Sequence, residues 1–135
     1  MREILFKAKR IDNGKWVEGY YCKWLKGERI ITYSEKETDC IITWMSNGGM
    51  SRYEVDPETL CQFTGLCDKN GNKIWENDIV NSGVNLFVSW HEKFASWCLT
   101  KKGWYHSHFF GEACDPKDCE VIGNKFDNPE LLKGE

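Results

Sequence analysis

Apolar and polar positions alternate along this chain in short runs, each ended by a turn signal. Residues 84–90 are the plainest case: Val84, Leu86, Val88 and Trp90 fall on one side, the period of a half-buried strand. Residues 94–99 repeat it with Ala95, Trp97 and Leu99, and His91-Glu92-Lys93 between the two runs suits a hairpin. Near the start, residues 4–10 and 15–24 form two β-compatible runs separated by Asp12-Asn13-Gly14. Asn-Gly supplies the positive φ angles of a tight type I′ turn, so these predict a β-hairpin. Lys26-Gly27-Glu28 turns the chain into a β-branched strand at 29–33, a charged break covers 34–39, and residues 40–44 form another strand. Residues 46–51, SNGGMS, are the loosest by composition and predict a mobile loop. No window sustains a 3.6-residue period over three turns, so no long helix is expected.

Between residues 55 and 80, turn and strand chemistry alternate closely: VDPETLCQFTGLCDKNGNKIWENDIV. Asp56 caps a short helical turn in which Pro57 takes the first position, where no amide donor is needed, and Glu58 meets the positive end. Residues 63–66 read as a strand, Asn70-Gly71 offers a second hairpin turn into 73–75, and Glu76-Asn77-Asp78 breaks the pattern before Ile79-Val80. Gly103-Trp104-Tyr105 opens a less regular stretch to Gly111, and residues 119–124 form a last strand. Asn128-Pro129-Glu130-Leu131-Leu132 repeats the capped-turn chemistry of Asp56-Pro57-Glu58. Short strands at close spacing with Gly-rich turns predict an all-β fold of barrel-like units with only short helical turns. A soft boundary between Arg52 and Pro57 separates an amino-terminal β subdomain, 1–54, from a carboxy-terminal one, 55–135. Each alone is marginal in size for a stable core, so the two are expected to pack as one compact unit.

Composition refines this in three ways. Aromatics at 14%, with seven Trp, favour strands and predict an aromatic core. The net charge of -3 leaves residues 1–67 with 10 basic and 10 acidic side chains and residues 68–135 with 8 and 11, so neither half has the dense basic face that duplex DNA demands. Lys7, Lys9 and Arg10 cluster, but on a strand they read as solvated side chains. Seven cysteines, Cys22, Cys40, Cys61, Cys67, Cys98, Cys114 and Cys119, come without a signal peptide or an apolar run of membrane-spanning length, so a cytoplasmic protein with reduced thiols is expected.

Several blocks together resemble the signature of the YopX family, small proteins encoded mainly by phages and prophages. They are Val55-Asp56-Pro57-Glu58-Thr59, Gln62-Phe63-Thr64-Gly65-Leu66, Asp68-Lys69-Asn70-Gly71, and Ile74-Trp75-Glu76-Asn77-Asp78-Ile79-Val80. Glu120-Val121-Ile122-Gly123-Asn124, Asn128-Pro129-Glu130-Leu131-Leu132 and the opening Arg2 to Ala8 match as well. The resemblance implies an all-β fold whose second half is a small SH3-like barrel, with no biochemical activity attached to the family. Its members usually carry Gly where this chain has Asn77, and Asn also tolerates left-handed backbone. Cys61 and Cys67 fall where the family varies.

Candidate chemistry is sparse. His106-x-His108 followed by Cys114 and Cys119 pairs imidazole with thiol as zinc prefers, but Cys-x4-Cys is wider than a usual knuckle and Asp115-Pro116 reads as a turn, so no metal is expected. Asp68-x-Asn70-x-Asn72 fails as a calcium loop because Ile79 stands where a bidentate Glu is needed. Ser89, His91 and Glu92 are close in sequence, yet neighbours on a strand point to opposite faces, so no catalytic residue is assigned. Walker and Rossmann fingerprints are absent from the sequence, and no cofactor is expected. Trp90, Phe94, Trp97, Trp104, Tyr105, Phe109 and Phe110 crowd the second half. Most are expected in the core, with Tyr105 to Phe110, YHSHFF, the first candidate for an exposed partner surface. The functional expectation is a non-enzymatic phage or prophage accessory protein that binds another protein or its own copies through strand edges or the aromatic loop. A nucleic-acid-binding SH3-like barrel is the alternative, and a zinc or thiol enzyme stands behind both.

Overall fold

The computed structural model describes residues 2–26, 36–101, 108–112 and 114–133. All regular structure there is strand or short 3-10 turn, so the all-β expectation holds. The strands are β1 (Phe6–Lys9), β2 (Trp16–Lys26), β3 (Lys36–Trp44), β4 (Met50–Glu54), β5 (Cys61–Cys67), β6 (Lys73–Trp75), β7 (Asp78–Asn81), β8 (Asn85–His91), β9 (Ser96–Thr100), β10 (His108–Phe109) and β11 (Glu120–Asn124). The chain divides into two compact units between Gln62 and Phe63, inside β5 and downstream of the break expected at 52–57. Cys61 and Gln62 pair with β1, which keeps the start of β5 with the first unit. Phe63 and Cys67 pair with β6.

In the first unit the strands run antiparallel in the order β4-β3-β2-β1-β5. One face is the core: Ala8, Ile41 and Val55 are buried, with Phe6, Val17, Tyr21 and Leu60 packed against them. The Tyr21 hydroxyl donates a short hydrogen bond to Asp39. That bond, burial and the Asp39 charge together push the Tyr21 phenol up to about 12. Gly19 lies where β2 leaves β1 for β3, and a Cβ there would stand 2.1 Å from the Ile42 carbonyl oxygen. β3 starts at Lys36, so the expected charged break at 34–39 is in part strand, and Asp39 pairs with Lys23. The predicted strand at 29–33 lies outside the described residues. β4 carries no strand expectation at all, because Arg52 and Glu54 put charge at every other position and leave only Met50 apolar on that face. Of the expected loose loop at 46–51, Met50 and Ser51 belong to β4. The rest is a closed turn in which Met45 N–H donates to Gly49 O (2.7 Å), Gly48 N–H to Met45 O (3.0 Å) and Gly49 N–H to Asn47 Oδ1 (2.8 Å).

The second unit holds an antiparallel sheet in the order β10-β9-β8-β7-β11 and the short β5–β6 hairpin. Among the described residues this sheet ends at β10 and β11 with no pairing between them, so where barrel-like units were expected the all-β sheet is open rather than a closed barrel. Ile74, Val80, Leu86, Val88, Leu99, Cys114 and Cys119 make the core, with Leu66, Val84, Trp97, Phe110 and Val121 packed on it. Among the described residues, five buried Ile, Leu and Val side chains there against Ile41 and Val55 in the first unit, at roughly 1.5–3 kcal/mol each, put more hydrophobic stabilisation in the second. The expected aromatic core is a misreading. Among described aromatics only Phe63 and Trp75 are buried, since short strands bring aliphatic side chains and thiols close enough to fill the interior.

Turn chemistry is close to expectation but not identical. Neither Asn-Gly forms a type I′ turn, because Gly14 (φ +69°) and Gly71 (φ +80°) are left-handed while Asn13 and Asn70 are not. The first loop has four residues, closed by Arg10 N–H to Lys15 O (2.9 Å) and Gly14 N–H to Arg10 O (2.9 Å). The second has three, closed by Gly71 N–H to Asp68 O (3.0 Å) and Asp68 N–H to Asn72 O (2.8 Å), the turn-plus-bulge alternative for hairpins. Asn77 takes φ +69°, the left-handed backbone for which glycine is otherwise used. Ala95 does the same at φ +47° in the β8–β9 turn, and so does not share the face expected with Trp97 and Leu99. Asp56 caps Pro57–Thr59 through Glu58 N–H (3.0 Å), and Asp115 caps Pro116–Asp118 through Lys117 N–H (3.0 Å). Asn128 does not cap its turn. Its side chain instead accepts from Asn124 N–H (3.3 Å), close against Gly123.

Candidate interaction surface

The first-unit sheet has a second face, and register defines it. Directly opposed residues on antiparallel strands share a face, and residues two apart along a strand do too. The pairs Trp44↔Met50, Tyr20↔Ile42↔Arg52, Cys22↔Cys40↔Glu54 and Trp24↔Thr38 therefore stand together, opposite the core. Lys7↔Glu18 and Lys9↔Trp16 extend this face across β1. Large apolar groups on it meet solvent: Tyr20 is 51% exposed, Trp24 44%, Trp44 66% and Met50 56%. Cations lie over its rings. The Arg52 guanidinium is 4.1 Å from the Trp24 ring, and Lys7 and Lys9 are 4.7 Å and 5.4 Å from Trp16. Each such contact is worth about 0.5–1 kcal/mol where exposed, enough to orient a side chain and too little to need burial for its own sake.

A smaller aromatic group sits in the second unit around the β8–β9 turn. Trp90 and Trp97 are opposed in register with ring centroids 4.9 Å apart, Phe94 stacks 4.7 Å from His91, and Phe94 meets Phe109 edge-on at 5.8 Å. Trp90 and Phe94 are exposed. Of the expected surface segment, Tyr105 and His106 lie outside the described residues, His108 is exposed, Phe109 is half-buried and Phe110 packs on the core.

The other sequence candidates are spread over both units. Cys114 and Cys119 meet in the second-unit core, where burial and the neighbouring Cys114 push the Cys119 thiol up to about 12. The Cys119 Sγ donates to Pro116 O (3.2 Å) and the Cys114 Sγ to Asp115 O (3.2 Å). His108 is on the exposed β10 edge, and no group of three possible metal ligands gathers among the described residues. Asp68 is buried, and its carboxylate accepts from Asn70 N–H (2.9 Å), Asn72 N–H (2.9 Å) and Val121 N–H (2.9 Å). Burial raises its pKa, but the backbone donors, Val121 foremost, outweigh that and hold it below the ordinary value. Ser89 and His91 share a side of β8, where His91 Nδ1 accepts from Phe94 N–H (3.3 Å), while Glu92 is in the turn. Lys7 and Lys9 lean on Trp16, and Arg10 binds Asp12 (2.6 Å) and lies 4.2 Å over the Tyr53 ring.

Reading the sequence alone misses the outer face of the first unit. Its only signal there is the Tyr20, Cys22, Trp24 alternation within residues 15–24, whose odd positions Val17, Gly19 and Tyr21 are equally apolar, so either side can be taken as the core. Among the described residues no helix is long and apolar enough to cross a membrane. A family model described as YopX protein matches residues 6–133. No curated protein matches the chain.

Proposed function

Because this chain belongs to the YopX family, we propose that it is a phage-type accessory protein working as a non-enzymatic interaction module, binding another protein or its own copies through the outer face of its first-unit sheet. The observation that carries this is the exposure of Tyr20, Trp24, Trp44 and Met50 on one side of the sheet whose other side is the core. Monomeric proteins rarely expose contiguous apolar patches of more than a few hundred Å². Tryptophan, tyrosine and arginine are also the side chains that anchor protein interfaces, and Arg52 on Trp24 supplies a preordered pair of that kind. We read the compartment as cytoplasmic, where thiols are held reduced at rest and disulfides are transient.

The test combines light scattering across a concentration series with affinity capture from induced or infected cells, comparing the native chain with Trp24→Ser/Trp44→Ser. A concentration-dependent dimer, or specific captured proteins, that disappear in the double variant support the reading. A monomer at high concentration that captures the same proteins with and without the substitutions removes it.

A second reading is binding of single-stranded nucleic acid. It is favoured by the cations lying over Trp16 and Trp24, because bases stack on aromatic rings and phosphates seek Lys and Arg. Anisotropy of a labelled oligonucleotide would then show binding that weakens steeply with salt and is lost in Trp24→Ser.

A further inference from the structure

The outer face of the first-unit sheet carries a thiol pair that neither binding reading uses. Register sets Cys22 of β2 directly opposite Cys40 of β3, between the unshifted pairs Tyr21↔Ile41 and Lys23↔Asp39. Directly opposed residues of antiparallel strands lie about 4.5–5.5 Å apart at Cα and point to one side. That separation is within the roughly 4.4–6.8 Å a disulfide spans. Cys40 is fully buried and Cys22 half-buried, so a dissolved oxidant meets Cys22 first. The other thiols differ: Cys114 and Cys119 lie together inside the second-unit core, and Cys67 is exposed with Lys73 as its cross-strand partner.

We propose that Cys22 and Cys40 form a reversible cross-strand disulfide, with a low-molecular-weight disulfide such as oxidised glutathione as the oxidant. The Cys22 thiol loses its proton to solvent, and its thiolate attacks one sulfur of the glutathione disulfide. The glutathione S–S bond breaks, and one glutathione leaves as a thiolate that takes up a proton. Cys40, deprotonated in turn, attacks the Cys22 sulfur of the mixed disulfide and expels the second glutathione. Two protein thiols are oxidised and one glutathione disulfide is reduced to two thiols. Burial and the adjacent Cys40 raise the Cys22 thiol, against a smaller lowering by Arg52, so its thiolate is scarce at neutral pH and exchange is slow. The new bond would tie β2 to β3 beneath the Arg52–Trp24 pair, in the middle of the aromatic face.

The test treats the whole chain with oxidised glutathione at rising concentration until the exposed Cys67 carries a glutathione adduct, which shows that the oxidant is active. Free thiols are then blocked with N-ethylmaleimide, and the digested protein is mapped by mass spectrometry. The expected product is the Cys22 peptide joined to the Cys40 peptide with the loss of two hydrogens, reversed by reduced glutathione and absent in Cys22→Ser. If Cys22 and Cys40 both take up N-ethylmaleimide, or if Cys22 stops at a glutathione adduct, the proposal is overturned. Because the native chain carries the decisive measurement, a folding defect in the variant does not blur it.

Discussion

The two units use their aromatic residues in opposite ways. In the second, the sheet packs one side with aliphatic groups and thiols, and the exposed rings Trp90 and Phe94 stand at one hairpin tip. In the first, the interior is small and rings spread along β2 and β3 on the opposite side of the sheet. A sheet that covers only one side with core, yet furnishes the other with Tyr20, Trp24, Trp44 and Met50, bears a cost in solubility that folding alone does not explain. The larger aliphatic core puts stability mainly in the second unit, the proposed function puts binding on the first, and each assignment can be broken separately.

The largest effect is expected at Asp68, which joins the β5–β6 hairpin to the start of β11. Asp68→Ala removes the acceptor for three part-buried backbone N–H groups, which at about 1–3 kcal/mol for each unmet donor predicts a loss of roughly 4 kcal/mol in urea unfolding. The carboxylate pKa is lowered on folding, so its stabilisation is present above the unfolded value, 3.8, and fades as the pH falls below that through the folded value. Acid titration of the native chain should show this loss, and the variant should lack that component. A variant within about 1 kcal/mol of the native chain would deny Asp68 its role as keystone.

Next comes Gly19→Ala, aimed at the first unit. Its Cβ would stand 2.1 Å from a backbone carbonyl that has no rotamer to escape into, so β2 and β3 must part locally. The expected loss is about 3 kcal/mol, the upper end of overpacking, with the amide signals of β2 and β3 moving most. Tyr21→Phe follows at about 1.5 kcal/mol, since it strips Asp39 of its phenol donor. The Tyr21 pKa is raised on folding from 10.0 to about 12, so its contribution is complete below pH 10.0 and is lost between there and about 12. Unfolding followed through that window should separate the native chain from Tyr21→Phe.

What was legible in the sequence was local. Asp56-Pro57 and Asp115-Pro116 announce capped turns because cap and proline act within three residues, and Gly14 and Gly71 announce reversals because left-handed backbone is theirs almost alone. Loop length was not legible, since an Asn-Gly pair serves a three- or four-residue loop as readily as a two-residue one. Nor was Asp68: its bond to Val121 spans 53 positions, and a turn aspartate looks the same with or without it. β4 and the first half of β3 stayed hidden because a sheet with a solvent face accepts charge at every other position, which weakens the apolar alternation. The aromatic face was hidden for a related reason. Both sides of β2 are apolar in sequence, and only the packing of Val17 and Tyr21 with Ile41 and Val55 decides which side became the interior.

The smallest expected change in stability is therefore the sharpest test of the comparison. Trp44 is the most exposed of the four large side chains on the outer face, opposed only by Met50, so Trp44→Ser should shift unfolding by about 0.5 kcal/mol, as surface substitutions do. Leu99→Ala in the second unit, from a fully buried site, should cost about 3 kcal/mol. Association should invert that order. Trp44→Ser should weaken self-association or partner capture at least tenfold, while Leu99→Ala, measured where it remains folded, leaves it unchanged. Were Trp44→Ser instead to destabilise the chain by several kcal/mol with no effect on binding, the outer face would be a misassigned part of the core.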